Sequence, residues 1–176
     1  MTDNFPTCLA VTLKQEGGFS NNPHDPGHAT NLGVTKAVWE AWVGHPVSIA
    51  DMHALTVADV TPLYRVRYWN ATGCDKLPAP LALCVFDFAV NSGGSRAAGM
   101  LQKLIGVTVD GHIGPATLAA VAPYLVRHGL QDAIDDYQAM RSHYDAGLPG
   151  AKIFGKDWQN RVAAVKAAAY KLGGFA

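Results

Sequence analysis

The sequence has no stretch of roughly 18 uncharged apolar residues, the length a membrane-spanning helix needs. It also has no surplus of charge, since 14 Lys and Arg balance 14 Asp and Glu. The first lack excludes a transmembrane helix. The second argues against a nucleic-acid binder, which carries a basic excess or stripe; Arg65 and Arg67, the nearest approach to one, read as ordinary helix surface. Paired cysteine spacing is missing too. Cys8, Cys74 and Cys84 form no CxxC and are odd in number, so they read as buried thiols of a reducing compartment. The histidines are scattered without HExxH or another ligand spacing, so no metal is expected. The first residues, Met1-Thr-Asp-Asn-Phe-Pro6, lack a basic segment leading into an apolar one, so no secretory signal is expected.

Period-2 alternation is nearly absent as well, and apolar spacing is helical almost throughout. Leu9 and Leu13 repeat at i, i+4 after Pro6-Thr7, with Gly17-Gly18 as the expected stop. Residues 19–34 have no sustained period and predict a loop, or at most one short hairpin. Thr35 predicts an N-cap for a helix carrying Val38, Trp39 and Trp42 and closed by Gly44. Ser48…Asp51 and Thr56…Asp59 have capping-box form, and Pro62 is expected in the first turns of the second helix or to break it. Leu81 to Val90 is too apolar for a surface helix and predicts a buried central one. Residues 95–105, a helix from Pro115, and the stretches Gln131–Tyr144 and Trp158–Leu172 complete an all-α fold with one possible hairpin after the first helix. A catalytic lobe over 1–90 and a helical C-terminal lobe over 91–176 are expected, packed together without a tether and able to form one structural domain.

A dense polar cluster follows the first helix: Glu16-Gly-Gly-Phe-Ser-Asn-Asn-Pro-His-Asp25-Pro-Gly-His28-Ala-Thr30-Asn31-Leu-Gly33-Val-Thr35. Glu16 is expected at that helix's C-terminal end, and a partly covered carboxyl group there is biased toward its protonated form. Asp25, nine residues on, falls in a Pro/Gly-rich and more solvated loop. One carboxyl disposed to hold a proton beside one free to ionise is the asymmetry glycoside hydrolysis requires. Spacing alone leaves the bland reading open, in which the Glu is surface and Asp-Pro-Gly is a turn. Trp39, Trp42, Trp69 and Trp158 are read as core rather than sugar platforms. Asp87, on the apolar central helix, is read as a buried carboxylate that pairs with an arginine or caps backbone groups rather than performing chemistry.

The same cluster resembles the signature of glycoside hydrolase family 108, N-acetylmuramidases found as phage endolysins and as secretion activator proteins. The sequence departs from that pattern at His28, where a second glycine is usual, and at Val34, where isoleucine is usual. Tyr64-Arg65-x-Arg67-Tyr68-Trp69, Phe86-Asp87-Phe88-Ala89-Val90-Asn91-Ser92-Gly93 and Phe154-Gly155-x-x-Trp158-x-x-Arg161-Val162 resemble further family segments in the same order. Leu101-Gln102-x-x-Ile105-Gly106-Val107-x-Val109-Asp110-Gly111-x-Ile113-Gly114-Pro115-x-Thr117 is similar to the peptidoglycan-binding segment that follows, with Val107, Val109 and Ile113 expected to plug a small core.

The resemblance implies a lysozyme-like helical fold and hydrolysis of the β-1,4 bond between N-acetylmuramic acid and N-acetylglucosamine. It makes Glu16 the catalytic acid. The order Glu16, Asp25, Thr30 is similar to the triad of phage T4-type lysozymes, and His28, Asn31 and Asn91 are expected to contact substrate. No cofactor is implied, because acid–base chemistry on a glycoside needs none. The expected partner is bacterial peptidoglycan, met by a monomer that does not insert into membranes. The protein is expected to accumulate in the cytoplasm and to reach the wall through a holin pore or a secretion apparatus. The competing readings are a lytic transglycosylase and a non-catalytic wall-binding protein.

Overall fold

The structure, a computed structural model, describes residues 3–21 and 29–175. Asp25 and His28 lie outside these residues.

Helix α1 (Phe5–Leu13) starts with Pro6 in its first turn, where the missing N–H costs nothing. It stops earlier than expected: Gln15 N–H bonds Thr12 O at 2.9 Å, a tightened last turn, and Gly17-Gly18 play no part in ending it. A three-stranded antiparallel sheet follows, β1 (Ser20–Asn21), β2 (Ala29–Asn31) and β3 (Val34–Thr35), in the order β1-β2-β3. It is one strand more than the single hairpin the sequence suggested.

Helix α2 (Lys36–Val43) is capped as expected, with Thr35 Oγ1 accepting from Val38 N–H and Gly44 left-handed at φ 81°. Both capping boxes form, on α3 (Ile49–Ala54) and α4 (Val57–Tyr64). Pro62 neither opens nor breaks α4. It sits inside the helix, where only the bond its missing N–H would make to Ala58 O is lost, and the helix continues as a π-helical segment over Arg65–Asn70.

Helix α5 (Ala79–Ser92) is the centre of the molecule, with every residue from Pro80 to Ala89 buried. A helix apolar all round needs cover on all sides, and α1, the π-helical segment, α6 (Gly94–Ile105), α8 (Leu130–Ala146) and α9 (Ala151–Gly173) supply it. Phe5, Trp69 and Phe86 pack edge to face at 5.5–5.8 Å on one flank; Phe88 meets Tyr137 and Tyr144 on the other. Trp69 is buried as expected; Trp39 and Trp42 are half-buried against the core.

The boundary expected at 90/91 falls inside α5, and one apolar core runs from Phe5 to Ala169. The three cysteines are buried and unpaired, and burial pushes each thiol up to about 12. Helix α7 (Pro115–His128) begins where Pro115 predicted. Before it, buried Gln102 clasps the preceding loop: Nε2 donates to Asp110 Oδ1, His112 O and Thr117 Oγ1, and Oε1 accepts from the Asp110 and Gly111 amides. Ile113 packs on the core, but Val109 is 58% exposed and plugs nothing, so a polar clasp rather than three apolar plugs orders this segment.

Candidate active site

Glu16 lies three residues beyond the end of α1, where the helix dipole has faded. Its surroundings are made instead by tertiary contacts. Strands β2 and β3 are joined by Leu32-Gly33, with Asn31 opposite Val34 and both central residues at positive φ (50° and 72°). That is the two-residue turn whose twist suits a hairpin. Leucine at its first position is sterically costly. Two contacts offset that cost: the Leu32 side chain packs on the core, and Tyr64 Oη donates to Leu32 O at 2.8 Å.

The turn brings Gly33 directly onto the acid. A Cβ at Gly33 would lie 2.7 Å from Glu16 Oε2, 2.8 Å from Glu16 Cγ and 2.6 Å from Tyr64 Oη. Glycine is therefore required twice, by φ and by the carboxyl group passing over it. Burial raises the Tyr64 hydroxyl well above its ordinary range, with the Glu16 charge adding to the effect. The phenol stays a neutral donor.

On its other side Glu16 meets the C-terminal helix. Arg161 Nη2 stands 2.7 Å from Glu16 Oε1, while the same guanidinium donates from Nε to Asp87 Oδ2 and from Nη2 to Asp87 Oδ1, both at 2.9 Å. The Arg161–Glu16 contact is an ion pair, and among the described residues Glu16 Oε1 has no well-aligned hydrogen-bond donor. Asp87 is fully buried on α5 and also accepts from Arg141 Nη1 at 2.7 Å. Arg141 Nε in turn faces Asp145 Oδ2 at 3.8 Å.

Burial by itself would pull the Arg161 guanidinium down; the Asp87 hydrogen bonds and charge, with Glu16, hold it above its ordinary value. Burial raises the Asp145 carboxyl. Among the described residues the cluster contains three carboxyl groups (Glu16, Asp87, Asp145) and two guanidinium groups (Arg141, Arg161). Of the three, the Glu16 side chain is the most accessible, 18% against 0% and 4%.

The other expected site residues are placed unevenly. Thr30 is half-buried in the central strand, paired with Ser20 and Thr35, on the face opposite Ala29 and Asn31. Asn31, expected to touch substrate, is 7% exposed, and its Nδ2 donates to Met52 O at 2.9 Å with His53 O and Leu55 O nearby. Its amide holds the sheet on the end of α3. Asn91 is exposed one turn beyond Asp87 on α5.

Arg161 and Arg141 were not among the expected site residues. Their signal is legible afterwards, since each interrupts the buried stripe of its helix: Arg161 with Val165 and Ala169 on α9, Arg141 with Ile134, Tyr137 and Gln138 on α8. A buried arginine needs a carboxylate, and Asp87 on the central helix needed a partner.

The sequence model of the family described as Glycosyl hydrolase 108 matches residues 9–93. The solved structure of Brucella abortus SagA is 40% identical, superposes with a TM-score of 0.82, and covers 96% of this chain and 94% of its own. The chain belongs to glycosyl hydrolase family 108. No curated protein matches it. The family 108 match ends at Gly93, whereas Arg141, Asp145 and Arg161 lie beyond it. The likeness to SagA runs over nearly the full length, so the shared fold includes the helices that carry Arg141, Asp145 and Arg161.

Proposed function

We propose that this glycoside hydrolase is an N-acetylmuramidase, cleaving the β-1,4 bond between N-acetylmuramic acid and N-acetylglucosamine in peptidoglycan with Glu16 as general acid. The observation that carries this reading is the setting of Glu16: recessed beneath the Leu32-Gly33 turn, held by an arginine whose charge is already matched by Asp87, and more accessible than either companion carboxyl. Such a group can deliver a proton to a glycosidic oxygen as the bond breaks. Fixing its direction before substrate arrives saves reorganisation in the transition state. Asp25, assisted by Thr30, is the partner in this reading, directing a water to the anomeric carbon or stabilising the oxocarbenium-like charge. A phage or prophage endolysin is the setting such a hydrolase suits.

Digestion of purified peptidoglycan, followed by mass spectrometry of the borohydride-reduced fragments, tests the reading. Fragments ending in reduced N-acetylmuramic acid are expected. Anhydro-ended fragments would instead identify a lytic transglycosylase, and an undigested sample a binding protein. Glu16→Gln is expected to melt within about 2 °C of the native protein, as a near-isosteric change at a partly exposed site should, and to lose clearing in a zymogram.

A further inference from the structure

The inward stripe of α9 outruns the core. Arg161, Val162, Val165 and Ala169 on that stripe are buried. Trp158 continues it three residues before Arg161, and Phe154 four residues before Trp158, all on one face of the helix. Yet Phe154 is 51% exposed and Trp158 only half-buried. Trp69 lies in the core and Trp39 and Trp42 pack against it, whereas Trp158 does neither. The expectation that all four tryptophans are core therefore fails at Trp158. It stands one helical turn from Arg161, whose Nη2 is 2.7 Å from Glu16 Oε1.

The two rings are held rather than loose. Their centroids are 6.1 Å apart with planes inclined at 36°. Both ring edges close over Gly150, where a Cβ would lie 3.1 Å from Trp158 Cη2 and 3.2 Å from Phe154 Cδ2. Large rings left open to water on a helix face that is buried further along mark an interaction surface. Lys152 and Lys156 stand two positions from the rings, on another side of the helix. Aromatic faces rather than cations therefore meet a ligand here.

A β-1,4-linked chain of N-acetylated sugars suits such a shelf. With its ring substituents equatorial, each sugar presents a face of axial C–H bonds, which an aromatic ring covers while few torsions are frozen. The shelf is on α9, apart from the Leu101–Thr117 segment, and it begins at the arginine that touches the acid. One chain can lie across both. We propose that Phe154 and Trp158 form a glycan subsite of the Glu16 cleft, stacking on sugars to one side of the bond being cleaved. The inference rests on a glycan being the substrate of Glu16.

Peptide-free glycan chains, prepared by amidase digestion of peptidoglycan, provide the probe, with calorimetry on Glu16→Gln so that the chains stay intact. Adding Phe154→Ala and Trp158→Ala, in a protein shown by its melting curve to be folded, is expected to weaken binding roughly tenfold. Trp158→Phe alone should retain most of the affinity. With Glu16 in place, the double alanine variant should raise KM for these chains and leave kcat little changed. Unchanged affinity and KM overturn the proposal. So does a fall in kcat at native KM, which would mean that the rings only seat Arg161. Loss of binding to anionic phospholipid vesicles with glycan binding intact would make the patch a membrane contact instead. Glycan binding through these rings without cleavage by the native protein would sink the muramidase reading and leave this one standing. Cleavage with native KM in the variant would do the reverse.

Discussion

Gly33 and Arg161 do at the residue scale what no motif announces: they aim a carboxyl group. Gly33→Ala places a methyl group in a left-handed conformation and against the Glu16 side chain. The backbone term alone costs about 1–2 kcal/mol, and the displaced acid is expected to lower kcat by roughly 100-fold, the usual result of a misplacement near 1 Å. Melting and glycan turnover measured on the same sample check both effects. Arg161→Lys keeps a cation but loses the two-pronged grip on Asp87. Its kcat is expected to fall with KM little changed, since the interaction orients the acid rather than binding sugar. A change confined to KM would place Arg161 in substrate binding instead.

At the scale of elements, short helices owe their definition to their ends. Helices α3 and α4 have six and eight residues, too few to persist alone, and each has a complete capping box. Ser48→Ala or Thr56→Ala is expected to cost about 1 kcal/mol, read as a melting shift of roughly 2–4 °C. The boxes also set an acid response. Asp51 and Asp59 are held below their ordinary range by hydrogen bonds from Ser48 and Thr56. A lowered folded-state value means the contribution is present above pH about 4 and is lost as pH falls through it. Amide exchange in the first turns of α3 and α4 should therefore accelerate on acidification before exchange in α5 does. These caps, the Thr35 cap and the Gly44 stop were all legible, because each is a contact between residues three or four apart. The end of α1 was not. Gly17-Gly18 had the composition of a stop, but the chain leaves the helix at Lys14, and Glu16 beyond it meets Gly33 and Arg161, contacts far apart in sequence.

For the whole molecule, the charge cluster couples the core to the site. Asp87 receives both arginines at zero exposure, so Asp87→Ala removes the hydrogen-bonded partner the two guanidinium groups share and leaves them only Glu16 and Asp145. A loss of about 3–5 kcal/mol is expected, measurable as a fall of roughly 10 °C in Tm. Asp145 adds a term of opposite pH sign to the caps. Burial raises its folded-state value, so its contribution is complete below the unfolded value near 4 and is lost as pH rises through the folded one. Asp145→Asn should accordingly flatten the decline in Tm on going from acid toward neutral pH. Unchanged slope in that variant would show that Asp145 is not the group responsible.

The amino-acid order by itself determined the helical class, the buried central helix, the caps and the candidacy of Glu16, because periodicity, capping and a dense polar segment are local properties that survive without coordinates. Only the tertiary structure decided that the Asn31 amide anchors the sheet to α3, that α5 runs through residue 90, and that Glu16 is paired with an arginine 145 positions away. Those outcomes depend on which buried charges meet, and burial brings together residues that no sequence window contains.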